Sequence, residues 1–93
     1  VLYQVGDFFE MYGDDARHAA ELLDLNLTTR NIPDAGRVAM CGIPANRLKQ
    51  YVEDLRDKYD VIISAVDENS RERRTYTTVS YTHLRAHETG AYL

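Results

Sequence analysis

"VLYQVGDFFEMYGDD", residues 1–15, decides how this chain folds, because twelve strand-like residues run into a glycine and two aspartates. Residues 1–12 alternate well enough to read as one strand, loosened at Gly6. On that reading Val1, Tyr3, Val5, Phe9 and Met11 share one face, with Asp7 as the exception. Leu2, Gln4, Phe8, Glu10 and Tyr12 share the other. Gly13 ends the strand, and Asp14 or Asp15 is expected to cap a helix whose first turn favours negative charge. Phe8 and Glu10 then stand about 6–7 Å apart on one face. If a helix covers that face, both phenylalanines are core and Glu10 is a costly buried charge. If it is open, an aromatic wedge stands beside a hydrogen-bond acceptor. Alternation alone leaves both readings standing, and burial is the commoner fate of a phenylalanine.

Outward from this stretch, Ala16, Ala19, Ala20 and Leu23 recur at helical spacing as a narrow small-residue stripe that lets a helix lie close to a sheet. "LNLTTR" (25–30) reads as a second strand and "NIPDAGR" (31–37) as a solvent loop punctuated by Pro33, Asp34 and Gly36. "VAMCGIP" (38–44) is a third strand, with Pro44 near the start of the next helix. That helix, over 45–58, carries Leu48, Tyr51, Val52 and Leu55, with Asn46 as its expected cap. "DVIISAV" (60–66) is a continuous apolar strand, expected where both faces are covered. "DENSRE" turns the chain, and "RRTYTTV" alternates as a more exposed strand. The predicted order is β-α-β-β-α-β-β, an α/β domain with a mixed β-sheet flanked by helices in two or three layers. Residues 1–79 form the expected domain, a fragment that begins at Val1 in strand-like sequence. Residues 80–93, "SYTHLRAHETGAYL", break the pattern and are expected not to be native to it.

At 93 residues the chain is one domain with one modest core. A lone cysteine, Cys41, excludes an internal disulfide framework and fits a reducing compartment. No apolar run approaches the roughly 20 residues that span a bilayer, and no signal peptide is visible. The net charge of −4 argues against a free-standing nucleic-acid binder, which depends on Lys and Arg against phosphate.

Other constellations carry little chemistry. His83 and His87 at i, i+4 would give two metal ligands, too few for a site. His18 lies off the apolar stripe and is expected in solvent. Cys41 sits beside Met40 in an apolar strand with no base in sequence reach, so packing is the expected role. Asp7, Glu10, Asp14 and Asp15 form an acidic cluster whose spacing matches no calcium loop. A small metal-dependent nuclease rests on that cluster alone. No phosphate-binding loop or dinucleotide fingerprint is present.

"GDFFEMYGDDARHAAELLDLNLTTR" (6–30), "MCGIPANRLKQYV" (40–52) and "DVIISAV" (60–66) together resemble the N-terminal mismatch-recognition domain, domain I, of the MutS family of DNA mismatch repair proteins. The most specific element is G-D-F-[YF]-E, at Gly6–Glu10, and the resemblance runs from about residue 1 to 78. It implies an α/β domain with a mixed sheet, a partner in double-stranded DNA containing a mismatch or small loop, and specific roles for two residues. Phe8 would stack on the mispaired base from the minor groove, and Glu10 would hydrogen-bond that base. Phe9 would pack inward. Arg30 and Arg37, flanking the 31–37 loop, are the candidates for phosphate contact. The domain itself would be non-catalytic, with no cofactor or metal. ATP and Mg²⁺ would belong to the remaining domains of a parent ATPase, expected to be cytoplasmic and dimeric. Two other readings remain: the same fold as an accessory DNA- or protein-binding domain of a mobile-element helicase or methylase protein, and a protein-interaction module without DNA contact.

Overall fold

A computed structural model describes residues 1–78. Residues 79–93, including His83, His87 and the expected foreign tail, lie outside the described residues. Six strands form one sheet: β1 (Leu2–Val5), β2 (Phe8–Tyr12), β3 (Thr28–Ile32), β4 (Gly36–Pro44), β5 (Val61–Val66) and β6 (Arg73–Thr78). Helix α1 (Gly13–Leu23) follows β2, and a 3-10 turn (Ala45–Arg47) leads from β4 into α2 (Leu48–Arg56). The strand order is β3-β4-β2-β1-β5-β6, antiparallel throughout except for the parallel β1–β5 pair in its interior. This is the α/β mixed sheet expected.

The order of elements differs at the first strand. Residues 1–12 are a hairpin, not one strand, closed by the two-residue turn Gly6–Asp7 with Val5 opposite Phe8. Gly6 sits at φ +59°, the left-handed conformation that a glycine in the first turn position supplies without steric cost. Folding back reverses the phase of the first half. Leu2 and Gln4 therefore share a side with Phe9 and Met11, whereas Tyr3 and Val5 share one with Phe8 and Glu10.

Both helices lie on the same side of the sheet as Leu2, Phe9 and Met11, and they touch each other. Ala16 and Ala19 of α1 are fully buried, so the small-residue stripe does bring that helix down onto β4. The Cys41 thiol of β4 donates to the Ala16 carbonyl at 3.5 Å. Val52 and Leu55 of α2, with Val61 of β5, close the core.

Several local expectations shift. Asp14 and Asp15 lie in the first turn of α1; the residue at its cap position is Tyr12, with no side-chain cap. Asn46 likewise falls inside the 3-10 turn and makes no cap hydrogen bond. The expected 31–37 loop contracts to Pro33–Asp34–Ala35, because Asp34 and Gly36 take positive φ and let Ile32 pair with Gly36. Strand β5 is covered by helices on one side only. Its other side is bridged by Arg73, whose NH1 donates to the Ser64 carbonyl at 3.1 Å and NH2 to the Gln4 carbonyl at 3.0 Å.

Candidate functional site

The sheet face opposite the helices is open among the described residues, and the side chains of Phe8 and Glu10 project onto it. Phe8 opens β2 directly after the Gly6–Asp7 turn, opposite Pro44. Its residue is 50% exposed, against 5% for Phe9, which faces the helices. A shallow groove beside the ring is lined by Asp7, Pro44, Ala45 and Asn46. The backbone under it is pinned, since Ala45 N–H donates to the Asp7 carbonyl at 2.8 Å.

Glu10 lies on the same face, two residues along, opposite Gly42. Although no helix covers it, its side chain is only 11% exposed. The carboxylate is enclosed by neighbouring side chains and is compensated. Arg30 NH1 donates to Glu10 Oε1 at 3.1 Å, and NH2 reaches Oε2 at a long 3.5 Å. The Tyr12 hydroxyl also donates to Oε1. Arg30 NH1 donates in turn to the Tyr12 hydroxyl at 2.9 Å, and its guanidinium lies 5.9 Å from that ring's centre. Tyr12 is held above the ordinary tyrosine pKa, first by burial and then by its hydrogen bond to Glu10 and that residue's charge, with Arg30 opposing. Tyr3 completes the aromatic surface, its ring 6.3 Å from that of Tyr12 at 54°.

Arg30 reaches Glu10 across β4, which separates their strands. Gly42 stands directly opposite Glu10 and presents no side chain there; a Cβ would lie 4.0 Å from both Glu10 Cγ and Phe8 Cδ1. Arg37 is not brought to this site. It pairs with Asn31, one step out of phase with Arg30, so it emerges on the helix side of the β3–β4 hairpin. There its Nε donates to Thr29 Oγ1 at 3.0 Å.

The acids grouped by sequence are dispersed by the fold. Asp14 pairs with Arg17 at 2.8 Å, away from Glu10 and Arg30. Among the described residues no three His, Cys, Asp or Glu side chains gather as a metal site. Exposed His18 stacks on Tyr59, ring centres 5.9 Å apart and 9° from parallel. Burial pushes the Cys41 thiol up to about 11, which suits a packed thiol rather than a nucleophile. Among the described residues no helix is long and apolar enough to cross a membrane.

Tyr12 and Gly42 are parts of the site that the sequence reading did not single out. The signal for Tyr12 was present, since it has the same parity in β2 as Phe8 and Glu10. No local pattern marks Gly42, because its place depends on strand register.

A two-layer mixed sheet with one helix-covered face and one open face, the latter carrying an exposed phenylalanine and a compensated glutamate, defines a small α/β domain with one sheet face uncovered among the described residues. Residues 1–88 match the family model for MutS domain I, and the chain belongs to that family. It is 35% identical over 75 residues to the DNA mismatch repair protein MutS of Lysinibacillus sphaericus, covering 80% of this chain and 9% of that protein. With MutS of Oleidesulfovibrio alaskensis it shares 39% over 75 residues, 80% of this chain and 8% of that one. MutS of Bacillus cereus is 40% identical over 58 residues, 62% of this chain and 6% of the relative. The chain thus spans under a tenth of the length of these curated relatives.

Proposed function

We propose that this domain recognises mispaired or unpaired bases in double-stranded DNA on behalf of a larger DNA mismatch repair protein. Phe8 enters from the minor groove and stacks on the mispaired base, and Glu10 accepts a hydrogen bond from it. The observation that carries this reading is the opposite fate of two adjacent identical side chains: Phe9 is core, while half of Phe8 stands in solvent at the end of an ordered strand. An exposed aromatic ring on a fixed backbone suits insertion between base steps. Unstacking costs least where pairing is already weak, so a wedge converts a mismatch into a binding preference.

The domain contributes recognition and no chemistry of its own. ATP and Mg²⁺ belong to other domains of the parent, which acts as a dimer in the cytoplasm. Most of the attraction to phosphate also comes from those domains, given a net charge of −4 here. In a full-length protein carrying this domain, Phe8→Ala is expected to lower the preference for a mismatched over a fully paired duplex by tenfold or more. One aromatic–base stack is worth roughly 1–3 kcal/mol. Fluorescence anisotropy against duplexes differing by one mispair reads this directly, and unchanged discrimination rejects the wedge.

A further inference from the structure

The Glu10 carboxylate is asymmetric in its partners. Oε1 accepts from both Tyr12 and Arg30 NH1. Oε2 has only the long contact at 3.5 Å with Arg30 NH2, near the limit at which a hydrogen bond retains strength. On the other side of the network, Arg30 NH1 reaches both Glu10 Oε1 and the Tyr12 hydroxyl. That hydroxyl accepts from Arg30 and donates its single hydrogen to Glu10. The three groups close a ring of hydrogen bonds in which Oε2 is the less engaged of the two carboxylate oxygens.

We infer that Arg30 and Tyr12 are positioning residues that commit Oε1 of Glu10 and leave Oε2 as the oxygen that meets a nucleobase donor. The inference rests on the base-reading function proposed above. Arg30 then serves recognition through Glu10 and not through a backbone phosphate. Its charge has a second effect. Paired with Arg30, Glu10 no longer repels phosphate as a bare carboxylate would, so the site can approach a duplex before a base is tested. The guanidinium fork matters as well as the charge, because only a fork spans Oε1, Oε2 and the Tyr12 hydroxyl together.

Arg30→Gln, Glu10→Gln and the double variant, placed in a full-length protein carrying this domain, test the inference as a cycle. Arg30→Gln alone should reduce mismatch preference about tenfold, the scale of one charge-assisted hydrogen bond. Added to Glu10→Gln it should reduce preference no further and leave the salt dependence of binding unchanged. Arg30→Lys should lose preference nearly as fully as Arg30→Gln. Additive losses, with a log–log salt slope shallower by about 0.9 in both backgrounds, would identify a phosphate contact and overturn the inference. A DNA-free readout separates the network from the function. In the free 93-residue chain, ring-labelled tyrosine resonances should show Tyr12 titrating higher in Arg30→Gln and lower in Glu10→Gln. An unmoved Tyr12 titration overturns the inference and leaves the Phe8 wedge standing. A shifted titration with normal discrimination in Glu10→Gln overturns base reading by Glu10 and, with it, this inference.

Discussion

Phe8 and Phe9 are chemically identical neighbours whose side chains point to opposite faces of β2, so substituting each tests a different property. Phe9 is buried against Leu2, Met11 and Ile43 in the core, and Phe9→Ala is expected to destabilise by about 3–5 kcal/mol through lost burial and the cavity left behind. Phe8→Ala removes a ring already half in water and should cost less than about 1 kcal/mol. Urea denaturation of the two variants measures the difference. Comparable losses would mean that Phe8 is packed and unavailable to a ligand. Period-two alternation within residues 8–12 shows that the two rings point to opposite faces; that the Phe8 face is open follows only from the fold, in which no helix covers it. Glu10 was legible only as an outward acid: its arginine partner lies twenty residues away, on a strand that is not even its neighbour in the sheet. Such a pairing depends on strand order, which no local pattern encodes.

At the level of elements, the turn Gly6–Asp7 has the largest consequences. Read as a continuous strand, residues 1–12 put Tyr3 and Val5 with Phe9; the hairpin moves both to the open face with Phe8 and Glu10. A glycine followed by one residue between apolar runs is itself a hairpin signal, but twelve well-alternating residues also satisfy a single strand. The tie is broken by tertiary structure, since β1 pairs with both β2 and β5. Helices were easier to place. The stripe Ala16, Ala19, Ala20 and Leu23 has only one period that fits, whereas helix starts slipped because aspartate is as favourable inside the first turn as at the cap. Gly6→Ala isolates the turn. A Cβ there would meet nothing within 4 Å, so any penalty is that of a left-handed backbone for an L-residue, about 1–2 kcal/mol. A thermal melt lowered by that amount is expected; an unchanged melt would show that the turn tolerates another conformation.

Across the whole molecule, burial is one-sided, and desolvation shifts two ionisable groups upward. Cys41, beneath α1, is pushed from 9.0 up to about 11 by burial, and Tyr12 is shifted upward from 10.0. In the unfolded chain both protons leave at ordinary values, so between the unfolded and folded values the unfolded state binds fewer protons. The contribution of the buried thiol to stability is therefore fully present below about pH 9 and is lost as pH rises through about 11. Denaturant midpoints should decline over that window, and Cys41→Ala should flatten the decline even though it lowers stability overall. A profile just as steep without the thiol would assign the alkaline loss elsewhere.

The backbone around Phe8 is fastened on three sides: by Val5 in β1, by Pro44 in β4, and by the Asp7 carbonyl held to Ala45 N–H. Fixing a residue's backbone costs roughly 1–2 kcal/mol in conformational entropy, and for a loop-borne aromatic that cost falls at the moment of binding. Here it is met when the domain folds. A ligand meeting this face encounters a ring whose mounting is already still, and the free energy of contact goes to distinguishing one base step from the next.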